Sequence, residues 1–151
     1  MIYKQEVIII NFRDLGEADK IVTLLSRYKG RINAIAKGVR KPNSRKSASI
    51  DIANKANMSL ATGKTLDVIT EVKLIENYQK AKTDVKRIAA ISFTLDLVDR
   101  FYGEPGQGDE IYLTLSSFLN TLNSENLNDI QIYNLILGFE IKLLDISGFL
   151  Q

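Results

Sequence analysis

At 151 residues the chain has room for one domain or two small ones, with a core that needs no covalent staples. It contains no cysteine and no histidine, which excludes disulfides, thiolate metal sites, the commonest zinc ligand and the usual base of Ser-His or Cys-His catalysis. The net charge of +2 hides a polarity: residues 1–80 carry 15 Lys/Arg against 8 Asp/Glu, whereas residues 81–151 carry 5 against 10. Such asymmetry points to two modules with different partners.

Met1 leads into a polar stretch without the pattern of a signal peptide, and the longest apolar run, residues 7–10, is far too short to cross a membrane. A soluble cytoplasmic protein with no membrane contact is expected. Tyr3 to Asn11 is rich in β-branched residues (Val7, Ile8, Ile9, Ile10) and reads as a strand covered on both faces. Residues 12–17 read as a polar connection. Asp19 to Arg27 alternates as a second strand, residues 28–30 form a hairpin turn in which Gly30 is free to take positive φ, and Arg31 to Val39 is a third strand. Residues 40–49 are basic and Ser-rich, contain Pro42 and show no hydrophobic period, which predicts a mobile loop. Ile50 to Ala61 and Leu66 to Glu76 are predicted strands joined by a tight turn at residues 62–64. Five short strands at this spacing suggest a small closed barrel.

Near residue 80 the period changes from two to that of a helix. Val85, Ile88, Ile91, Ser92, Leu95, Val98 and Tyr102 share one helical face, and residues 103–108 read as a loop. Asp109 is placed to cap a helix that buries Ile111, Leu115, Phe118, Leu119 and Leu122. Asn128 with Gln131 has the form of a capping box for a last helix. That helix is apolar almost all round, which predicts a central place in its bundle, and Gly148 ends it. The fold class is therefore α+β, a barrel over residues 1–79 followed by an all-α domain over residues 80–151.

The chemistry in the chain favours binding over catalysis. Asp14, Glu17 and Asp19 form the tightest carboxylate cluster, yet their spacing matches no metal-binding loop and reads as a polar turn. Gly30, Gly38 and Gly63 open no helix after a strand, so no phosphate loop is formed. No catalytic residue, metal, cofactor or small-molecule substrate is expected. Between residues 27 and 46, by contrast, stand eight cations and no acid: Arg27, Lys29, Arg31, Lys37, Arg40, Lys41, Arg45 and Lys46. A basic barrel face with aromatic platforms is a way to hold single-stranded nucleic acid. Tyr28, between Arg27 and Lys29 in an exposed turn, is the leading stacking candidate, with Tyr3 and Phe12 behind it. No base-reading helix is visible, so binding without sequence preference is expected.

Gly16-Glu17-Ala18-Asp19-Lys20-Ile21-Val22-Thr23-Leu24, followed by Ala34-Ile35-Ala36-Lys37-Gly38-Val39-Arg40-Lys41-Pro42-Asn43-Ser44-Arg45, resembles the bacterial DNA repair protein RecO family. Weaker stretches of the same resemblance run through residues 70–76, 97–100 and 139–149. The resemblance implies an N-terminal OB-fold and a helical domain. It also implies a recombination mediator of the RecFOR type that binds single- and double-stranded DNA, anneals strands and helps load RecA, with association to the nucleoid. Arg40, Lys41, Arg45 and Lys46 occupy the family's basic loop and inherit its DNA-binding role. RecR and the acidic, apolar tail of single-strand binding protein are the implied protein partners. Members continue past the final Gly-Phe into a cysteine-bearing zinc segment. This sequence stops at Gln151, as a truncated form or a short relative would, and no zinc site is expected within it.

Two other classes compete with this reading. A barrel of this kind can serve as a protein-interaction module without touching DNA. A metal-dependent nuclease built on Asp14, Glu17 and Asp19 is the more distant rival.

Overall fold

The computed structural model describes residues 1–101, 109–124 and 126–148. Five strands, β1 (Ile2–Leu15), β2 (Asp19–Ser26), β3 (Gly30–Ala36), β4 (Lys55–Ala61) and β5 (Asp67–Glu76), close into a barrel in the order β1-β2-β3-β5-β4. Four helices follow, α1 (Gln79–Lys82), α2 (Val85–Phe101), α3 (Glu110–Leu122) and α4 (Asp129–Ile146). The expected α+β, OB-like arrangement is what forms.

β1 binds the two parts together. Val7 and Ile9 point into the barrel with Val22, Leu24, Met58, Leu60 and Ile69. Ile8 and Ile10 point outward into a second core built with α2, α3 and α4. All four are essentially excluded from solvent, because successive residues of a strand face opposite sides and here both sides are covered. The β1–β2 register shifts between Ile9 and Asn11, which leaves Ile10 as a bulge. The extra residue reverses the phase: Phe12 packs against the barrel core, and Asn11 reaches Asp99 of α2. At the same place Ile9 donates to the Asn54 carbonyl (3.0 Å) and accepts from Ala53 N (2.8 Å).

Several element boundaries differ from expectation. Residues 12–15 extend β1, since Phe12 to Leu15 pair with Val22 to Asp19. β3 stops at Ala36, and Val39 turns back to plug the barrel end beside Ile50. Residues 50–54 are a turn rather than the start of β4; Ala53 stands at φ 66 there, and the turn supplies the bonds to Ile9. The turn at Gly30 (φ 70) is as expected. Gly63 is required by space, because a Cβ there meets the Leu66 carbonyl oxygen at 1.9 Å. The stretch 40–49, expected as a mobile loop, is a series of hydrogen-bonded turns, among them Ser44 N to Lys41 O and Ser49 N to Lys46 O.

The helices also correct the pattern. α2 buries Ala90, Ile91, Thr94, Leu95 and Val98, while Val85 and Ser92 lie exposed. Tyr102 and the 103–108 loop lie outside the described residues. Asp109 occupies the N-cap position of α3 without a capping bond. The capping box of Asn128 and Gln131 is formed. α4 is peripheral, not central: it buries only Ile132, Phe139 and Leu143 and leaves Ile130, Tyr133, Leu137, Ile141 and Leu144 exposed. Its second apolar stripe has no cover among the described residues, which is why an apolar helix is not by itself a central one.

The junction of the two cores is tyrosine-rich. Tyr78 and Tyr112 are fully buried. Tyr112 donates to Glu6 Oε2 (2.6 Å), Lys55 bonds Ser116, and the Tyr78 and Asn77 amides bond Glu76 Oε1. Burial pushes Tyr78 up to about 12, and burial followed by the Glu6 hydrogen bond pushes Tyr112 further up.

Two outcomes follow from this packing. Ile8→Ala and Ile9→Ala are each expected to cost about 2–5 kcal/mol, although one side chain belongs to the helical core and the other to the barrel. Urea unfolding followed by helical circular dichroism and by tyrosine fluorescence should show both variants lowering a single shared transition. Two transitions moving independently would refute the shared core. The raised tyrosines hold their stability below the free-tyrosine value near 10 and lose it as pH climbs through about 12 for Tyr78 and beyond for Tyr112. Alkaline titration at 295 nm should therefore show late tyrosinate absorbance coincident with unfolding, and Tyr112→Phe should remove part of it. A Tyr112→Phe protein with an unchanged late phase would contradict the assignment.

Candidate nucleic-acid interface

The basic run falls into two groups, because β3 lies between them. At about 3.3 Å per residue, the seven residues of β3 separate the two groups by roughly 20 Å. One group is the β2–β3 turn and the start of β3, with Arg27, Tyr28, Lys29 and Arg31. The other follows β3, with Lys37, Arg40, Lys41, Arg45 and Lys46.

In the first group Tyr28 is 68% exposed, with the Arg27 guanidinium 5.3 Å from its ring centroid. Ser26 shapes the turn by accepting from Lys29 N (2.9 Å) and donating to the Gly30 carbonyl (2.8 Å). Tyr28, Lys29, Arg31 and Asn33 line an open groove with Tyr3 and Asp67, rimmed by Thr62 and Thr65 of the β4–β5 connection. The Tyr3 hydroxyl bonds Asp67, and Lys29 Nζ stands 4.0 Å over the Tyr3 ring. Burial and then the Asp67 carboxylate hold the Tyr3 hydroxyl well above the usual tyrosine range. Each ring thus carries a cation on one face, and the difference between them is exposure: Tyr3 is half-buried, whereas Tyr28 is largely exposed. Phe12 packs against the barrel core and has Lys20 Nζ 4.1 Å over its ring.

Arg27 and Arg31 are engaged from the helical side. Arg27 lies 3.8 Å from both Glu6 and Asp109, while Arg31 pairs with Asp99 at 2.9 Å and donates to the Asp99 carbonyl (2.9 Å).

In the second group the loop is pinned to the β1–β2 connection. Asp19 accepts from Gly38 N (2.7 Å), Arg40 donates to the Gly16 carbonyl (2.8 Å) and lies 3.5 Å from Asp14. Lys46 reaches the Ile69 carbonyl of β5. Asp14 and Asp19 of the carboxylate cluster therefore serve the loop. Among the described residues no three such side chains converge as a metal site. Lys37, Lys41 and Arg45 are exposed, and their side chains have no ionic or hydrogen-bonding partner among the described residues.

Comparison with known proteins supplies the family. The family model described as "Recombination protein O N terminal" matches residues 1–78. This chain belongs to the RecO family. It is 32% identical over 148 residues to the DNA repair protein RecO of Symbiobacterium thermophilum, covering 98% of this chain and 57% of the relative. The RecO protein of a Roseiflexus species is 32% identical with 98% and 50% covered, and that of Desulforamulus reducens is 33% identical with 97% and 56% covered. The chain thus spans about half the length of these RecO relatives.

In this RecO-family chain Asn33, Thr62, Thr65 and Asp67 come to the groove from three segments and escape a reading of the sequence alone. Only the alternation of β3, which turns Arg31 and Asn33 outward while Ile32 and Ala34 go in, carried a signal for any of them. The partners of Arg27 and Arg31 from the helical half, Asp109 and Asp99, gave none, being 82 and 68 positions away in sequence. No helix among the described residues is long and apolar enough to cross a membrane.

Proposed function

We propose that this chain is a non-enzymatic DNA-binding unit of recombinational repair. The barrel, residues 1–79, holds single- and double-stranded DNA. In the whole protein this binding serves annealing of complementary strands and RecA loading, in association with the nucleoid. The observation that carries the reading is the set of unengaged cations Lys37, Lys41 and Arg45 at one end of β3, with the exposed Tyr28 beside Lys29 at the other. A phosphate backbone is neutralised by the cations, and an unstacked base meets the exposed Tyr28 ring. Arg40 and Lys46 contribute charge from within the loop, and Arg27 and Arg31 flank the ring. The names of the relatives, all DNA repair proteins, support the same reading.

Fluorescence anisotropy of a labelled single-stranded oligonucleotide, titrated at several salt concentrations, tests it. With about six phosphates neutralised, the log–log salt slope should be roughly −4 to −5. Lys41→Ala with Arg45→Ala should shrink the slope by about 0.7 for each phosphate no longer neutralised and leave the melting temperature unchanged. Tyr28→Ala should weaken single-strand binding by about 1–3 kcal/mol with little change in slope. A folded sample that binds neither single- nor double-stranded DNA at low salt would sink this reading in favour of a protein-interaction barrel.

RecR and single-strand binding protein belong to the same proposal as protein partners. For the acidic, apolar tail of the latter, the groove between α3 and α4 has suitable chemistry. Its floor is Phe118 and Phe139, with ring centroids 5.1 Å apart, beside Leu113 and Leu135. Gly138 leaves open space above it, and Lys142 supplies a cation. A labelled acidic peptide with an apolar end should bind with an affinity that Lys142→Glu lowers about fivefold, while oligonucleotide binding barely changes. Equal peptide affinity for both proteins would remove this groove from consideration.

A further inference from the structure

The two arginines beside Tyr28 are each held by a carboxylate from the helical half. Asp99, in the last turns of α2, meets Arg31; Asp109, at the start of α3, meets Arg27. Neither carboxylate is fully matched to its guanidinium. Arg31 donates to the Asp99 carbonyl (2.9 Å), but the buried Asp99 Oδ1, 2.9 Å from Arg31 Nη2, receives no properly aligned hydrogen bond. Arg27 Nε is buried with no hydrogen bond at all, and both of its acidic neighbours stand at 3.8 Å. Glu6 is already committed to the Tyr112 hydroxyl. Both arginine side chains keep about a third of their surface in solvent, 33% for Arg27 and 30% for Arg31.

A phosphate oxygen accepts from a guanidinium in the same forked geometry as a carboxylate and carries a comparable charge. Ion pairs that are imperfectly aligned and keep part of their surface in solvent contribute little and exchange cheaply. The Asp99–Arg31 contact sits on the groove itself, since Arg31 lines it together with Tyr28 and Lys29. Asp109 leaves its own helix N-terminus without a side-chain cap and faces Arg27 instead.

We infer that Asp99 and Asp109 act as internal competitors for nucleic-acid phosphate, holding Arg31 and Arg27 until a phosphate backbone displaces them. The helical half thereby sets the affinity of the barrel's groove without lining it. This inference rests on the DNA-binding reading above and concerns the regulation of that same site.

The test compares oligonucleotide binding by the full chain and by Asp99→Asn, Asp109→Asn and Asp96→Asn. Asn preserves the size of each side chain. Asp96 pairs with Arg100 on an exposed part of the same helix, so Asp96→Asn removes an equal charge without releasing either arginine. At low salt, Asp99→Asn and Asp109→Asn should each tighten binding about two- to fivefold and make the salt slope steeper by about 0.7 for a single strand. Asp96→Asn should do less than half of this. In an Arg31→Ala background the gain from Asp99→Asn should vanish. Binding by the unsubstituted chain with no gain in either Asn variant overturns the inference and leaves the proposed function standing. A gain that Asp96→Asn matches, or that survives Arg31→Ala, overturns it in favour of general charge. Failure of every protein to bind overturns both readings together.

Discussion

The structure depends on four consecutive apolar residues in β1 that are buried on both sides. Val7 and Ile9 complete the barrel, and Ile8 and Ile10 nucleate the helical core. An ordinary antiparallel barrel strand leaves one face in water. Here that option is gone, because an exposed Ile8 or Ile10 would leave a large apolar patch on the barrel and strip α2 and α3 of their floor. The helices are thus a second layer on the sheet rather than an appendage. Alternation alone gives Ile8 and Ile10 to the helices, and the bulge at Ile10 then returns Phe12 to the barrel two residues later.

Docking of the helices on this side of the barrel decides the electrostatics. The acidic half is brought against the basic half along β1 and the β2–β3 turn, so opposite charges meet at the seam through Arg27, Arg31, Glu6, Asp99 and Asp109. Lys37, Lys41 and Arg45, far from the seam at the other end of β3, keep their charge available to solvent. The same chain therefore has a strongly basic edge and a neutralised one, although a charge count along the sequence shows only a uniform basic run. Net charge speaks to partners, but placement determines which cations are available to them.

Much of the fold was legible because it rests on local rules. The alternation of β2 and β3, the positive φ of Gly30, the change of period near residue 80 and the capping box at Asn128 each follow from a few neighbouring residues. What was not legible is non-local. The extension of β1 through Leu15 is stabilised by pairing with β2, against a local composition that reads as a turn. Ile50 to Asn54 has strand-like residues, but the bulged strand needs hydrogen-bond partners at Ile9, and a turn with Ala53 at positive φ supplies them. α4 looked central because apolarity all round is read as burial on all sides, and only tertiary neighbours can say whether a stripe is covered. For the candidate site the cations were visible as a run, whereas their division by β3 and the capture of two of them required the three-dimensional arrangement.

The division of the cations constrains what the barrel can hold. A ligand that meets both groups must follow β3 for about 20 Å, past Asn33 and the outward residues of that strand. A compact anion cannot span that distance, but a polymer with charge repeated along its length can. Tyr28 stands at the end where the arginines are partly neutralised, and Lys37, Lys41 and Arg45, unpaired among the described residues, stand at the other. In the proposed DNA-binding reading, stacking and phosphate neutralisation fall at opposite ends of one strand. A single-stranded nucleic acid, which offers unpaired bases as well as a repeated charge, satisfies both ends at once, whereas a duplex with its bases stacked inside can use only the cationic end.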